Sequence, residues 1–73
     1  MSKQRPIYKK VGERIKARRK AEFLTQVQLA GYCNMSQTYL SQIERGEGAY
    51  MLGTLHEICL YLHISMSDLL KDL

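Results

Sequence analysis

The sequence has few of the features that would indicate an exported or membrane-bound protein. Its longest uninterrupted apolar run spans only Ile58 to Leu62, well short of the roughly 20 residues that a membrane-spanning helix needs. The start of the chain is not followed by an apolar segment of about 7 to 15 residues, which a secretion signal would require. We therefore expect a soluble, cytoplasmic protein without a membrane partner.

Cysteine is too scarce to form a disulfide framework. The two cysteines, Cys33 and Cys59, lie in segments with helical patterns, and such a pair in a cytosolic protein is normally two reduced thiols that pack as small apolar residues. A chain of 73 residues also buries only about 60% of its unfolded surface, which leaves room for one domain. We predict a single domain over residues 1–73, in which residues 1–6 form a flexible basic arm.

Motifs of catalysis are missing as well. The sequence contains no Gly-rich phosphate loop, no His-Glu-x-x-His motif and no paired acids in an apolar setting. His56, Cys59 and His63 fall in one sector of a helix, which is a conceivable zinc site. However, Cys59 borders an apolar stripe, His63 lies at or past the helix end, and a fourth ligand is not evident. We predict no enzyme activity, no metal and no cofactor.

Positive charge is concentrated at one end of the chain. Residues 1–20 contain nine Lys or Arg and one acid, a net charge of +8, whereas residues 21–73 contain two basic residues and six acids, a net charge of −4. A basic segment of this size is typical of proteins that bind a polyanion. A solvated helix face with a basic tail would explain the same charges.

Apolar residues recur at helical spacing in five segments, and the sequence shows no strand pattern, repeat or low-complexity segment. Three N-cap patterns mark helix starts: Thr25 with Gln28, Ser36, and Ser65 with Asp68. Asn34 and Gly46 tolerate the left-handed conformation that ends a helix. The sequence therefore predicts an all-α domain of five helices. The apolar stripes are Tyr8, Val11 and Ile15; Val27, Leu29, Ala30 and Cys33; Leu40 and Ile43; Leu52, Leu55, Ile58, Cys59 and Leu62; and Leu69, Leu70 and Leu73.

The second and third helices form a helix-turn-helix pattern over Thr25 to Arg45. A short connection joins them, and the third helix carries amide and hydroxyl side chains on its outward faces. Ala30 is small, as the close crossing of two such helices requires. Leu40 and Ile43 are expected to anchor the third helix in the core.

At this point the sequence resembles the phage-repressor and Cro type of helix-turn-helix regulator, the XRE-like family, over about residues 7 to 70. The matching segments are Val11-Gly12-Glu13-Arg14-Ile15-Lys16 and Arg19-Lys20; Leu24-Thr25-Gln26 and Leu29-Ala30; Ser36, Tyr39-Leu40-Ser41 and Ile43-Glu44-Arg45-Gly46; Thr54-Leu55; and Ser65 with Asp68-Leu69-Leu70. The resemblance implies a compact five-helix repressor-like domain that binds double-stranded DNA with its third helix in the major groove.

The resemblance also implies roles for individual residues. The expected base-reading residues are Gln37, Thr38, Ser41 and Gln42. Gln26 and Arg45 match positions that meet phosphates, Tyr39 can reach either a base or a phosphate, and Arg19 pairs with Glu44. The side-chain chemistry agrees, because Gln can pair bidentately with adenine and hydroxyl groups can donate or accept.

The sequence departs from the family pattern at four places. Phe23 and Asn34 stand where the family usually has Gly, and Arg18 stands where it usually has Leu. The segment 48–51 lacks the usual Asn-Pro before the fourth helix. These departures concern the end of the first helix, its core face, the turn, and the start of the fourth helix.

Two functions fit this pattern. The first is a small repressor or controller of transcription that binds a roughly palindromic operator as a homodimer. Its dimer interface would use four apolar residues that the core stripe does not need: Leu60, Tyr61, Ile64 and Met66. The alternative is an antitoxin or bridging factor that uses the same fold to bind another protein. The sequence identifies neither that partner nor the operator.

Overall fold

The computed structural model describes residues 6–73. These residues form five helices and no strand: α1 (Pro6–Ala21), α2 (Gln26–Tyr32), α3 (Gln37–Glu44), α4 (Leu52–Tyr61) and α5 (Met66–Leu69). The predicted all-α, five-helix fold is confirmed. Pro6 is the first residue of α1, where its missing N–H costs no hydrogen bond, so it does not belong to the predicted arm. The rest of that arm, residues 1–5, lies outside the described residues.

Side-chain caps start three of the helices. The Thr25 hydroxyl accepts from the Gln28 N–H at 3.0 Å, and the Gln28 side chain accepts from the Thr25 N–H at 2.9 Å. Ser36 and Ser65 cap α3 and α5 in the same way, by accepting from the third residue beyond each. The N-cap residue of α4, Met51, makes no such bond, as expected for a segment that lacks the family's Asn-Pro.

Left-handed residues follow the helices where the chain must turn. Phe23, Asn34 and His63 have φ of 56–58°, so the family's Gly at the first two positions is explained by backbone geometry. Gly46 ends α3 with φ of 76° and lies against the backbone of Lys9, where a Cβ would collide. The end of α3 is therefore fixed by both conformation and space.

All five helices contribute side chains to the core. The buried apolar side chains are Val11, Ile15, Leu29, Ala30, Cys33, Leu40, Ile43, Leu55, Ile58, Cys59, Leu62 and Leu69. Gly12 lets α1 approach α3, since a Cβ there would meet the backbone carbonyls of Ile43 and Glu44. This close contact sets the position of α3 on the domain.

The predicted stripes are wrong at three positions. Val27, Leu52 and Leu73 are exposed. Val27 lies about 200° around α2 from buried Leu29, Leu52 begins α4 beyond the edge of the core, and Leu73 lies past the end of α5.

None of the helices within residues 6–73 is both long enough and apolar enough to cross a membrane.

Two arginines of α1 hold the ends of the last two helices. Arg14 Nη1 donates to the carbonyls of Leu69 and Lys71, at 2.9 and 2.6 Å. Arg18 donates from Nε to the Leu62 carbonyl and from Nη2 to the His63 carbonyl, both at 3.0 Å. Because the last carbonyls of a helix have no partner within it, a cation there satisfies them and also opposes the helix dipole.

Arg18 therefore has a structural role that the family's Leu would fill by packing. We expect Arg18→Ala to lower the free energy of unfolding by about 1 kcal/mol, less than the full value of two charged hydrogen bonds because the side chain is partly exposed. The measurement is urea denaturation. Lys20→Ala removes a neighbouring exposed charge of α1 and is the control. An equal loss in both variants would contradict the assigned role.

Candidate nucleic-acid interface

A buried ion pair joins α1 to the end of α3. Arg19 Nε lies 2.7 Å from Glu44 Oε2, Arg19 Nη2 lies 3.1 Å from Glu44 Oε1, and the two side chains are 8% and 2% exposed. Arg19 Nη1 also donates to the Leu24 carbonyl at 2.8 Å. The structure thus brings together the two residues that the resemblance paired. Their hydrogen bonds compensate for the removal of both charges from water.

A chain of amides leads from this pair to the surface. Gln26 Nε2 donates to Glu44 Oε1 at 3.0 Å, and Gln26 Oε1 accepts from Gln37 Nε2 at 3.3 Å. Gln26, expected at a phosphate, therefore also orients the side chain of Gln37. The sequence alone did not indicate this contact, because the two residues belong to different helices and lie eleven positions apart.

The outward face of α3 presents the four predicted base-reading residues together. Gln37, Thr38 and Gln42 are exposed and Ser41 is half-buried, because Leu40 and Ile43 turn the opposite face of the helix into the core. Tyr39 differs from this group: its side chain is half-buried and packs against the core. This contact restricts how far its ring can extend toward a ligand.

Arg45 lies at the C-cap of α3 and is held by two neighbours. Its Nε and Nη2 atoms donate to the two carboxylate oxygens of Glu47, at 2.9 and 3.1 Å, and its Nη1 atom donates to Ser41 Oγ at 2.5 Å. The hydrogen bond from Arg45 holds the pKa of the Glu47 carboxyl below its ordinary value. Glu47 was missed by sequence reasoning, because its contact depends on the turn at Gly46.

The predicted dimer residues are divided between surface and core. Leu60 and Tyr61 are exposed, whereas Ile64 and Met66 are partly buried against the core, so the free apolar patch is smaller than expected. Tyr32 of α2 adds to it: its exposed ring stacks on Tyr61 with centroids 5.6 Å apart and planes 15° apart. The contribution of Tyr32 could not be predicted from the spacing of residues within α4, because Tyr32 belongs to α2.

The sector of His56, Cys59 and His63 is divided by the fold. Cys59 is buried in the core, and burial raises the pKa of its thiol, which disfavours the thiolate that a metal needs. His63 follows the end of α4 in the left-handed conformation. Within residues 6–73, no group of three acidic, histidine or cysteine side chains is placed to hold a metal ion.

Comparisons with known proteins match this arrangement. A family model described as "Helix-turn-helix" matches residues 15–69. The immunity repressor protein of Bacillus phage phi105 is 47% identical over 62 residues, which make up 85% of this chain and 43% of that protein. This chain therefore spans less than half the length of that relative.

Two solved structures share the fold. The clp gene regulator ClgR from C. glutamicum has a TM-score of 0.87 at 26% identity, over 96% of this chain and 90% of that chain. The restriction-modification controller protein C.Esp1396I, as a tetramer in complex with its natural 35 base-pair operator, has a TM-score of 0.81 at 30% identity. That match covers 90% of this chain and 87% of the controller chain.

The burial of Glu44 can be tested by its effect on stability. Glu44→Ala leaves the Arg19 cation without its buried partner, and we expect a loss of about 3 kcal/mol or more in the free energy of unfolding. Glu22→Ala is the matched control, because Glu22 pairs with Arg18 at the surface, 3.3 Å apart, and should cost at most about 1 kcal/mol. Urea denaturation measures both. Similar losses would show that burial does not strengthen the inner pair.

Proposed function

This chain belongs to the helix-turn-helix family, and we propose that it is a sequence-specific regulator of transcription that binds double-stranded DNA through α3. The observation that carries the proposal is the outward face of α3, where amide and hydroxyl side chains lie together on a helix fixed by buried contacts at its other side. Such a face can donate to and accept from base edges in a major groove. The operator complex of the similar controller C.Esp1396I supports the same use of the fold.

We divide the binding residues by chemistry. Gln37, Thr38, Ser41 and Gln42 read base edges, because amides and hydroxyls distinguish the donor and acceptor patterns of the base pairs. Three other residues contact phosphates of the DNA backbone and so position the protein on the duplex: Gln26, Tyr39 and Arg45. Gln26 also contacts Gln37, so it links a phosphate-contacting position to a base-reading one.

The lysines of α1 supply affinity that does not depend on sequence. Lys9 and Lys16 are exposed and line one surface depression with Arg45, so a DNA backbone that reaches Arg45 also passes near these ammonium groups. Contacts of this kind release counterions whatever the base sequence. They therefore strengthen operator and non-operator binding alike.

We further propose that the protein acts as a homodimer on a roughly palindromic operator. We assign the interface to the exposed side chains of Leu60, Tyr61 and Tyr32, with the partly buried Ile64 and Met66 beside Leu60. A two-fold axis needs only one self-complementary surface. Two recognition helices about 34 Å apart would read successive turns of the major groove. The tetrameric state of C.Esp1396I on its operator supports self-association.

The relatives are named as a repressor, a gene regulator and a controller rather than as enzymes. We place this protein in the cytoplasm, where its DNA target would lie, and propose that its helix-turn-helix domain acts as a repressor or controller. The competing proposal is an antitoxin or bridging module, which the exposed apolar face also favours. A purified protein that shifts a short duplex unaided supports the regulator.

Substitutions of base-reading and of phosphate-contacting residues should affect DNA binding differently. Gln42→Ala removes a base-reading amide. We expect it to reduce the difference in binding free energy between operator and random duplex by about 1 to 3 kcal/mol, while the slope of log affinity against log salt concentration stays nearly constant. Arg45→Ala should weaken binding to both duplexes and make the slope shallower by about one. Affinities on both duplexes at several salt concentrations test this. Unchanged discrimination by Gln42→Ala would contradict the role of α3.

The dimer can be tested with two exposed leucines of the same helix. Leu60→Glu places a charge in the proposed interface, and we expect it to give a monomer in sedimentation at micromolar concentration, where the wild type is a dimer. Leu52→Glu, at the other end of α4, is the control and should sediment like the wild type. A wild-type protein that stays monomeric even on its DNA would refute the dimer.

A further inference from the structure

We propose that Glu47 is an internal competitor of DNA for Arg45. Its carboxylate occupies the guanidinium group that would otherwise bind a phosphate, and so it limits affinity for DNA of any sequence. The inference rests on the proposed function of Arg45 as a phosphate contact. It adds a residue that sets affinity without touching DNA.

The geometry of the pair is the geometry of phosphate recognition. Two nitrogens of Arg45 donate to the two oxygens of Glu47 at 2.9 and 3.1 Å, which is the two-pronged arrangement that a guanidinium also makes with a phosphate. The third nitrogen, Nη1, donates to Ser41 Oγ. Glu47 occupies the edge of the guanidinium formed by Nε and Nη2, so Arg45 must release Glu47 before a phosphate can take the same two donors.

The turn after α3 builds this contact. Gly46 has φ of 76°, a conformation that glycine adopts readily and that turns the chain back on itself. The Glu47 N–H then donates to the Gln42 carbonyl at 2.9 Å. The carboxylate is therefore returned to the end of α3, beside the guanidinium that belongs to its C-cap residue.

Because the Arg45–Glu47 pair is exposed, another anion can replace the carboxylate of Glu47. The side chains of Arg45 and Glu47 are 55% and 43% exposed, so water and salt weaken their attraction and a phosphate can replace the carboxylate. The Arg19–Glu44 pair contrasts with this, because its side chains are almost fully buried. Only the outer pair can open without disturbing the core.

The surroundings favour a phosphate as the replacement. Lys9, Lys16, Glu13 and Glu44 line the same depression as Arg45 and Glu47. Arg19 compensates the charge of Glu44, so the two ammonium groups outweigh Glu13 and would attract a polyanion toward the point where the pair must open. Glu47 opposes that attraction twice, since it occupies Arg45 and adds a negative charge next to the path of the DNA backbone.

The first test compares Glu47→Gln with a matched loss of charge elsewhere. Asp72→Asn is the control, because Asp72 follows α5 and lies beside Lys10 and Arg14, away from Arg45. Asn also tolerates the left-handed backbone at this position. Binding is measured for a duplex selected from a random pool and for its scrambled version, at several salt concentrations. We expect Glu47→Gln to tighten both by about three-fold or more, and to steepen the salt slope by up to about one. Asp72→Asn should change both affinities less.

The second test is a double-mutant cycle with Arg45. If Glu47 acts through Arg45, the gain from Glu47→Gln should disappear in the Arg45→Ala background. An equal gain in both backgrounds, or a gain no larger than that of Asp72→Asn, would show general repulsion and overturn the inference while the regulator function stands. A wild-type protein that prefers no duplex would overturn the proposed function and this inference together. Thermal melts of each variant verify folding.

Discussion

The orientation of α3 depends on the buried pair between Arg19 and Glu44. Charges taken out of water are costly unless their hydrogen bonds are replaced, and here the replacements come from the pair itself, from Gln26 and from the carbonyl of Leu24. Arg19 binds Glu44 and the carbonyl that follows the α1 turn, while Glu44 also accepts from α2 through Gln26. Three helices are thus joined at one point, directly behind the face that we propose reads DNA.

Close backbone packing and the ion pair fix α3 together. Gly12 lets the carbonyls at the end of α3 lie against α1, and the pair holds the last residue of α3 from the side. The start of the helix is tied through Gln26 to Gln37. Two successive hydrogen bonds therefore link the interior carboxylate of Glu44 to the surface amide of Gln37.

The sequence could predict those features that depend on neighbours along the chain. The caps at Thr25, Ser36 and Ser65 follow from spacing, and the buried face of α3 follows from helical periodicity. Contacts between distant segments could not be derived in this way, since Arg18 reaches residues 44 and 45 positions away. Glu47 lies only two positions from Arg45, but their contact depends on the left-handed turn at Gly46, which spacing does not show. The Arg19–Glu44 pair was anticipated by resemblance, since periodicity alone does not identify partners across helices.

The same contacts determine which basic residues near the start of the chain are available to a ligand. Arg14, Arg18 and Arg19 all lie in the basic first 20 residues, yet their guanidinium groups bind carbonyls or a carboxylate inside the fold. The positive charges of α1 that are fully at the surface are Lys9, Lys10, Lys16 and Lys20. This division suits the two side chains, because a planar guanidinium makes several fixed hydrogen bonds whereas a hydrated ammonium acts as a mobile point charge. In α1, therefore, the arginines join the helices, and the positive charge that this helix exposes to a polyanion comes chiefly from the lysines, in a form that salt can screen.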